Sequence, residues 1–329
     1  MPSLLAVLAD DALLLLTAAI WGFAFVAQRA GMQHIGPLTF NATRFALGAL
    51  AVLPLVLARR RAARRAAAQV SAPQTAPGAP AAAAQVAPAA ASPRRIHPLP
   101  AGLLAGAALT GGALLQQAGL VSTTAGKAGF LTGLYVVLVP LAGLFWGQRA
   151  GWSRWVGVLL AACGLYLLSV TRQFTIERGD LLVLASALFW TGHVLLLGWL
   201  SPRTDAVALA FVQNAACAAL SGAVLPFVEH PSLQDIRAAA VPILYGGLLS
   251  VGVAFTLQVL AQRRAPPAHA ALLLSTESVF AALGGWWLLG ERLGARGLAG
   301  CALIFAGMLC AQLPVLLRLR ACADRPARA

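Results

Sequence analysis

Apolar residues in this chain come in long runs rather than in alternation. Ten such runs can be drawn, at 13–30, 37–57, 99–119, 125–145, 155–170, 181–200, 206–227, 238–260, 268–289 and 298–317. Each is close to the ~20 residues that one helix needs to cross a hydrocarbon core. None shows the two-residue alternation of a membrane strand. Backbone groups in lipid must find partners inside their own segment, so the runs predict helices.

The runs fall into two sets of five that resemble each other in order. "LLLLTAAIW", ending at Trp21, parallels "LLVLASALFW", ending at Trp190. "TFNATRFALGAL" parallels "LAFVQNAACAAL", and "FWGQRAGWSRWVGVLLAACGLYLL" parallels "LLGERLGARGLAGCALIFAGMLC". Five is odd, so the second set enters the membrane upside down relative to the first. The expected fold is an all-α membrane protein of ten transmembrane helices built as two inverted five-helix repeats, an arrangement common in secondary transporters. The first repeat takes 11–58 and 99–171 and the second takes 178–317, followed by a basic tail at 318–329. Between the second and third runs lies an Ala/Pro/Arg-rich segment, 59–98, whose composition predicts a disordered cytoplasmic linker.

Composition agrees with membrane as the solvent. Of 329 residues 60% are hydrophobic and 10% charged, against about 25% charged in a soluble domain. The net charge of +14 does not point to nucleic acid, because the arginines cluster at the ends of apolar runs. With the N-terminus inside and the runs alternating, 16 basic residues fall on the inner side and 7 on the outer. That bias places both termini and the linker in the cytoplasm. The first run follows Asp10 and Asp11 rather than a basic segment, so it reads as a retained helix and not a leader. Cys163, Cys217, Cys301, Cys310 and Cys322 form no CxxC pair, and they read as small buried hydrophobes.

Several pieces resemble the EamA-type family of the drug/metabolite transporter superfamily. They are "AAIWGFAFVAQRAG", "TRFALGALAVLPL", "AGFLTGLYVVLVPL" and "SVFAALGGWWLLGERL", with the glycine-rich last run. The resemblance covers both halves. It implies a ten-helix permease of the bacterial inner membrane that moves small metabolites or drugs, with export the preferred direction. Two departures stand out. "GQR" occupies 147–149 where such proteins often carry Glu after the glycine, and the linker is unusually long.

An ionisable group deep in a membrane is costly and marks a functional site by default. Two qualify by depth. Glu277 lies near the centre of its run, and Arg44 lies within the second. Glu277 reads as a proton or substrate-cation site, or as half of a structural pair with Arg44. Arg44 reads equally as a two-pronged anchor for a carboxylate or phosphate and as a side chain reaching for the interface. Lys127, the single lysine, sits at the mouth of the fourth run and reads first as a snorkelling end residue. His193 reads as structural before titratable. The amides Asn214 and Gln258, with Asn41, Gln116, Gln117 and Gln213, suit interhelical bonds or a polar cavity. Trp21, Tyr135 and Trp190 pack a core or stack on a substrate.

No nucleophile, metal or phosphate-loop motif is present, so the expectation is a non-enzyme without cofactor. The expected activity is secondary transport by alternating access, its partners a small-molecule substrate, the bilayer and protons as a coupling ion. An intramembrane enzyme restricted to Glu277, His193 and Lys127 is the rival reading, as is a membrane sensor. Substrate identity and oligomeric state stay open at this point.

Overall fold

A computed structural model of the chain describes residues 4–70, 96–146, 152–169 and 176–323. Among these the protein is all-helical, with eleven helices: α1 (Leu4–Gly31), α2 (Pro37–Val70), α3 (Pro98–Gly119), α4 (Ala125–Ala142), α5 (Trp152–Ser169), α6 (Arg178–Leu200), α7 (Ala206–Val228), α8 (Leu233–Ala238), α9 (Ala240–Ala261), α10 (Pro267–Leu289) and α11 (Ala295–Ala323). Eight are long and apolar enough to cross a membrane; α5 and α11 carry shorter apolar stretches, Trp155–Gly164 and Ala295–Gly307. The short α8 lies apart from these, closed by a capping box between Ser232 and Asp235.

Local chemistry sets the helix starts. Pro37, Pro98 and Pro267 stand at first helical positions, where a missing N–H costs nothing. The Thr124 hydroxyl accepts from Lys127 N at 3.2 Å, and the Asp205 carboxylate accepts from Ala208 N at 2.7 Å. Glycines then let neighbours close in. A Cβ on Gly102 or Gly106 of α3 would meet Val212 or Ala216 of α7, and one on Gly129 of α4 would meet Ala281 of α10. Outward, Leu16, Leu50, Leu104, Leu188 and Leu283 stand exposed at mid-helix, as lipid-facing residues do.

The helices pair in a regular way. α5 packs on α11, α2 on α7 and α4 on α10. α3 packs on α6 and α7; α9 packs on α1 and α2; α1 packs on α10, and α4 on α6. Exchanging the first five helices for α6, α7, α9, α10 and α11 leaves the first three pairs unchanged and turns each of the others into another of them.

Two boundaries differ from those the composition predicts. The linker is expected to begin at Arg59, but α2 runs on to Val70. Alanine and arginine are among the strongest helix formers, and "ARRRAARRAAA" contains little else. In the same way the tail expected at 318–329 starts as the last two turns of α11. The rest of the linker (71–95), the "GQR" segment and 324–329 lie outside the described residues.

Candidate functional site

At mid-depth five helices and both pieces of two broken ones surround a small cavity. α1 supplies Trp21, Phe25 and Gln28, α2 Arg44, α3 Gln116, α4 Thr132 and Tyr135, α6 Trp190 and Val194, α9 Ser250, Phe255 and Gln258, and α10 Leu274 and Glu277. Its volume is about 40 Å³, room for little more than one water.

Breaks in helices place its polar groups. α4 is interrupted at Leu134, between Ala125–Gly133 and Tyr135–Ala142, and α10 at Thr276, between Pro267–Ser275 and Glu277–Leu289. In α10 the cause is the run "STES". The hydroxyls of Ser275, Thr276 and Ser278 each donate to the carbonyl three residues back, at 2.7, 2.7 and 2.8 Å, which competes with the helical ladder. Glu277 opens the second piece of α10, and Tyr135 opens the second piece of α4. The Tyr135 hydroxyl lies beside the Glu277 carboxyl without a hydrogen bond of regular geometry. α9 has its own irregularity, a π-helical stretch over Tyr245–Ala254, a feature frequent at functional sites. It presents the Ser250 carbonyl to Trp21 Nε1 at 3.1 Å.

Glu277 and Arg44 are both buried, and neither makes an ion pair with the other or with any described residue. Arg44 Nε donates to Asn41 Oδ1 at 2.9 Å, and its guanidinium lies over the Phe40 and Phe45 rings at 5.3 and 4.9 Å. The structural pair considered for these residues is therefore not formed, and Arg44 does not reach for the interface. The aromatic wall is continuous: Trp21 lies 4.7 Å from Phe255, and Trp190 stacks on Phe255 at 6.2 Å. Gln116 ties four helices together. Its Nε2 donates to Gln28 Oε1 at 2.9 Å, and its Oε1 accepts from Trp190 Nε1 at 2.9 Å and Thr132 Oγ1 at 3.4 Å.

Of the residues singled out from sequence, Glu277, Arg44, Trp21, Tyr135, Trp190 and Gln258 line this cavity together. Three do not. His193 stands behind the wall, edge-on to Trp190 and Phe255 and bonded through Nε2 to Gln213 Oε1 at 3.1 Å. Asn214 donates through Nδ2 to the Val251 carbonyl at 3.4 Å. Lys127 is no snorkelling end residue but a lock, 2.6 Å from the fully buried Asp180, which also accepts from Thr123 at 2.6 Å. The pattern of the sequence does not single out Phe255, Gln28, Thr132 or Ser250. No local signal marks them, because their neighbours in the cavity come from other helices.

With the geometry in place, comparison with known proteins decides the family. A sequence profile of the EamA-like transporter family matches residues 10–170 and 177–312. The chain belongs to the EamA-like transporter family. An uncharacterized transporter of Archaeoglobus fulgidus is 28% identical over 305 residues, covering 92% of this chain and 85% of its own. A solved crystal structure, 19% identical, superposes with a TM-score of 0.60 over 92% of this chain and 97% of that one, which speaks for the fold alone. This EamA-like protein is a multi-pass membrane transporter, and it handles a small molecule within the bilayer.

Proposed function

We propose that the protein is a secondary transporter of small zwitterionic metabolites that works by alternating access, with export its direction. The observation that carries this is the pair of unpartnered charges, Arg44 and Glu277, on one aromatic-walled cavity. A guanidinium left without a carboxylate offers two parallel donors to an incoming one. A carboxylate beside a phenol offers acceptors to an ammonium group. An α-amino acid presents both groups, and once the cavity widens from its present volume of about 40 Å³ to admit it, Trp21, Trp190 and Phe255 would receive its side chain. Glu277 also has a second role open to it, taking up a proton when substrate leaves.

The frame suits this reading. The exchange of helix pairs between the halves, together with the profile match that falls once on each half, supports an inverted repeat of five spans each, with α5 and α11 completing ten. The charge bias assigns the end holding the chain's N-terminus to the cytoplasm of a bacterial inner membrane. The groups that an intramembrane enzyme would have to combine are held apart, with His193 on Gln213 and Lys127 on Asp180.

Proteoliposomes loaded with labelled neutral α-amino acids test the proposal. Arg44→Gln should abolish counterflow. Glu277→Gln keeps the shape and removes the titration, so it should slow net transport at least tenfold and flatten its dependence on pH between 6 and 8. Wild-type rates with an unchanged pH profile in Glu277→Gln, at equal insertion, would refute the role of the carboxylate. Movement of cationic drugs but of no amino acid would refute the substrate class.

A further inference from the structure

At the end of the molecule that holds the N-terminus, a second pocket of about 550 Å³ opens between α2, α3 and α7. We propose that it binds the phosphate-bearing headgroup of an anionic membrane lipid. The inference rests on the membrane reading of the chain and not on the central cavity.

The helical continuation of α2 creates the pocket. Helical geometry sets Arg60 and Arg64 one turn apart on the same face, and both line the pocket with Arg59 and His97. The acid among them is Asp205, and it is largely engaged. One of its oxygens caps α7 through Ala208 N at 2.7 Å, and the other lies 3.7 Å from Arg59 Nη1. Arg60 and Arg64 make no ion pair with any described residue. His97 Nδ1 accepts from Leu99 N at 3.2 Å, so the ring's proton sits on Nε2, free to donate. A further cation nearby, Arg203, is turned aside onto the Trp199 carbonyl at 2.6 Å and the Trp199 ring.

Two long helices add their positive ends. α3 starts at Pro98 and α7 at Ala206, and Ile96 N donates to Arg203 O at 2.8 Å, which fixes the two starts side by side. Three guanidiniums, an imidazole N–H and the positive ends of two helix dipoles against one occupied carboxylate make an acceptor for a phosphate. The floor, Val56 with Ala208, is buried and apolar. Val56 is among the last apolar residues of the α2 span, so the pocket straddles the level where hydrocarbon gives way to headgroups. A phosphate carried on an acyl chain fits both parts; a free phosphate fits only the rim.

Thermal unfolding of the full chain in neutral detergent, followed by tryptophan fluorescence, tests this with three probes: dihexanoyl phosphatidylglycerol, dihexanoyl phosphatidylcholine and inorganic phosphate. Binding to the folded state raises the midpoint with probe concentration. Phosphatidylglycerol should give a saturable rise of several degrees and the other two none. Arg60→Gln with Arg64→Gln should remove that rise and leave the lipid-free midpoint in place, since both side chains are exposed. If the double variant does not insert, Arg64→Gln alone should at least halve the rise. No shift with phosphatidylglycerol, or the same shift in the variant, overturns the site. An equal shift with phosphatidylcholine overturns the charge recognition, and one with inorganic phosphate overturns the lipid as ligand.

Discussion

The two ends of the molecule hold equivalent seams in opposite conditions. At the far end, α1 and the second piece of α10 are sealed. A Cβ on Gly22 would collide with Phe280 Cβ and the Glu277 carbonyl, and one on Gly284 with Phe23 and Val26. Glu291 fastens the seal by accepting from Ala125 N and Gly126 N, at 2.7 and 3.0 Å, with both oxygens on the start of α4. Gly290 makes that reach possible, since its φ of 65° turns the chain back where a side chain would be strained. The counterpart seam lies between α4 and α6 at the N-terminal end. There Val139, Pro140, Gly143, Gly192, Leu195 and Leu196 line a cleft of about 720 Å³, and a Cβ on Gly192 would meet nothing. Under the proposed reading, in which these helices are counterparts and the N-terminal end is cytoplasmic, a seam closed at one end and parted at the other corresponds to a carrier open to the inside.

The ion pairs differ in the same sense, and the largest expected effect comes from them. At the sealed end Asp180 is wholly buried and its partner Lys127 partly so, with the exposed Glu177 3.3 Å from the same ammonium. Removing the lysine strands the Asp180 charge in the interior, so Lys127→Met should cost about 3 kcal/mol, read as a loss of thermal midpoint in detergent. Lys127→Met with Asp180→Leu should recover most of it. At the parted end Arg59 and Asp205 lie 3.7 Å apart with both side chains half exposed, and Arg59→Gln should move the midpoint little. Equal effects at both ends would remove the distinction.

Next in size is a pair of glycine substitutions. Gly22→Ala should destabilise by about 1–3 kcal/mol through overpacking and block transport. Gly192→Ala enters open space and should stay within about 0.5 kcal/mol of wild type. A comparable loss for both would mean the seams are alike.

The smallest effect concerns α8, outside the spans. Hydrogen bonds from the Ser232 hydroxyl and backbone hold the Asp235 carboxyl below the usual carboxylate range. A carboxyl depressed in the folded state adds stability above its unfolded pKa, and that contribution is lost as pH falls through the folded value. The protection of α8 against hydrogen exchange, relative to the intrinsic rate at each pH, should therefore fall below about pH 4, while the sealed seam keeps its protection. Ser232→Ala should bring the change on at higher pH.

Much of the frame is legible in the sequence alone. Eight of the ten apolar runs form helices long and apolar enough to span, and the order of the runs is enough to suggest the family. Glu277 and Arg44 stand out because charge at that depth is expensive. The linker boundary is not legible at 59–70, because a composition that cannot build a core can still build a helix. Lys127 misleads for a related reason. Its partner Asp180 lies 53 positions away, at the start of another helix, and nothing local marks a long-range pair. The matched "GQR" and "GER" segments are visible as a repeat, yet the work of Glu291 as a clamp on α4 is not.

By itself the sequence determined the solvent, the helical class, the number of apolar runs and the two costly charges. These follow from local hydropathy and from the need to satisfy every backbone group in lipid. Only the tertiary structure decided that Glu277 and Arg44 share a cavity without pairing, that Lys127 is locked to Asp180, and that one seam is shut while its counterpart is parted. Those depend on which helix faces meet, and a hydrophobic pattern that is apolar nearly all round does not encode the faces.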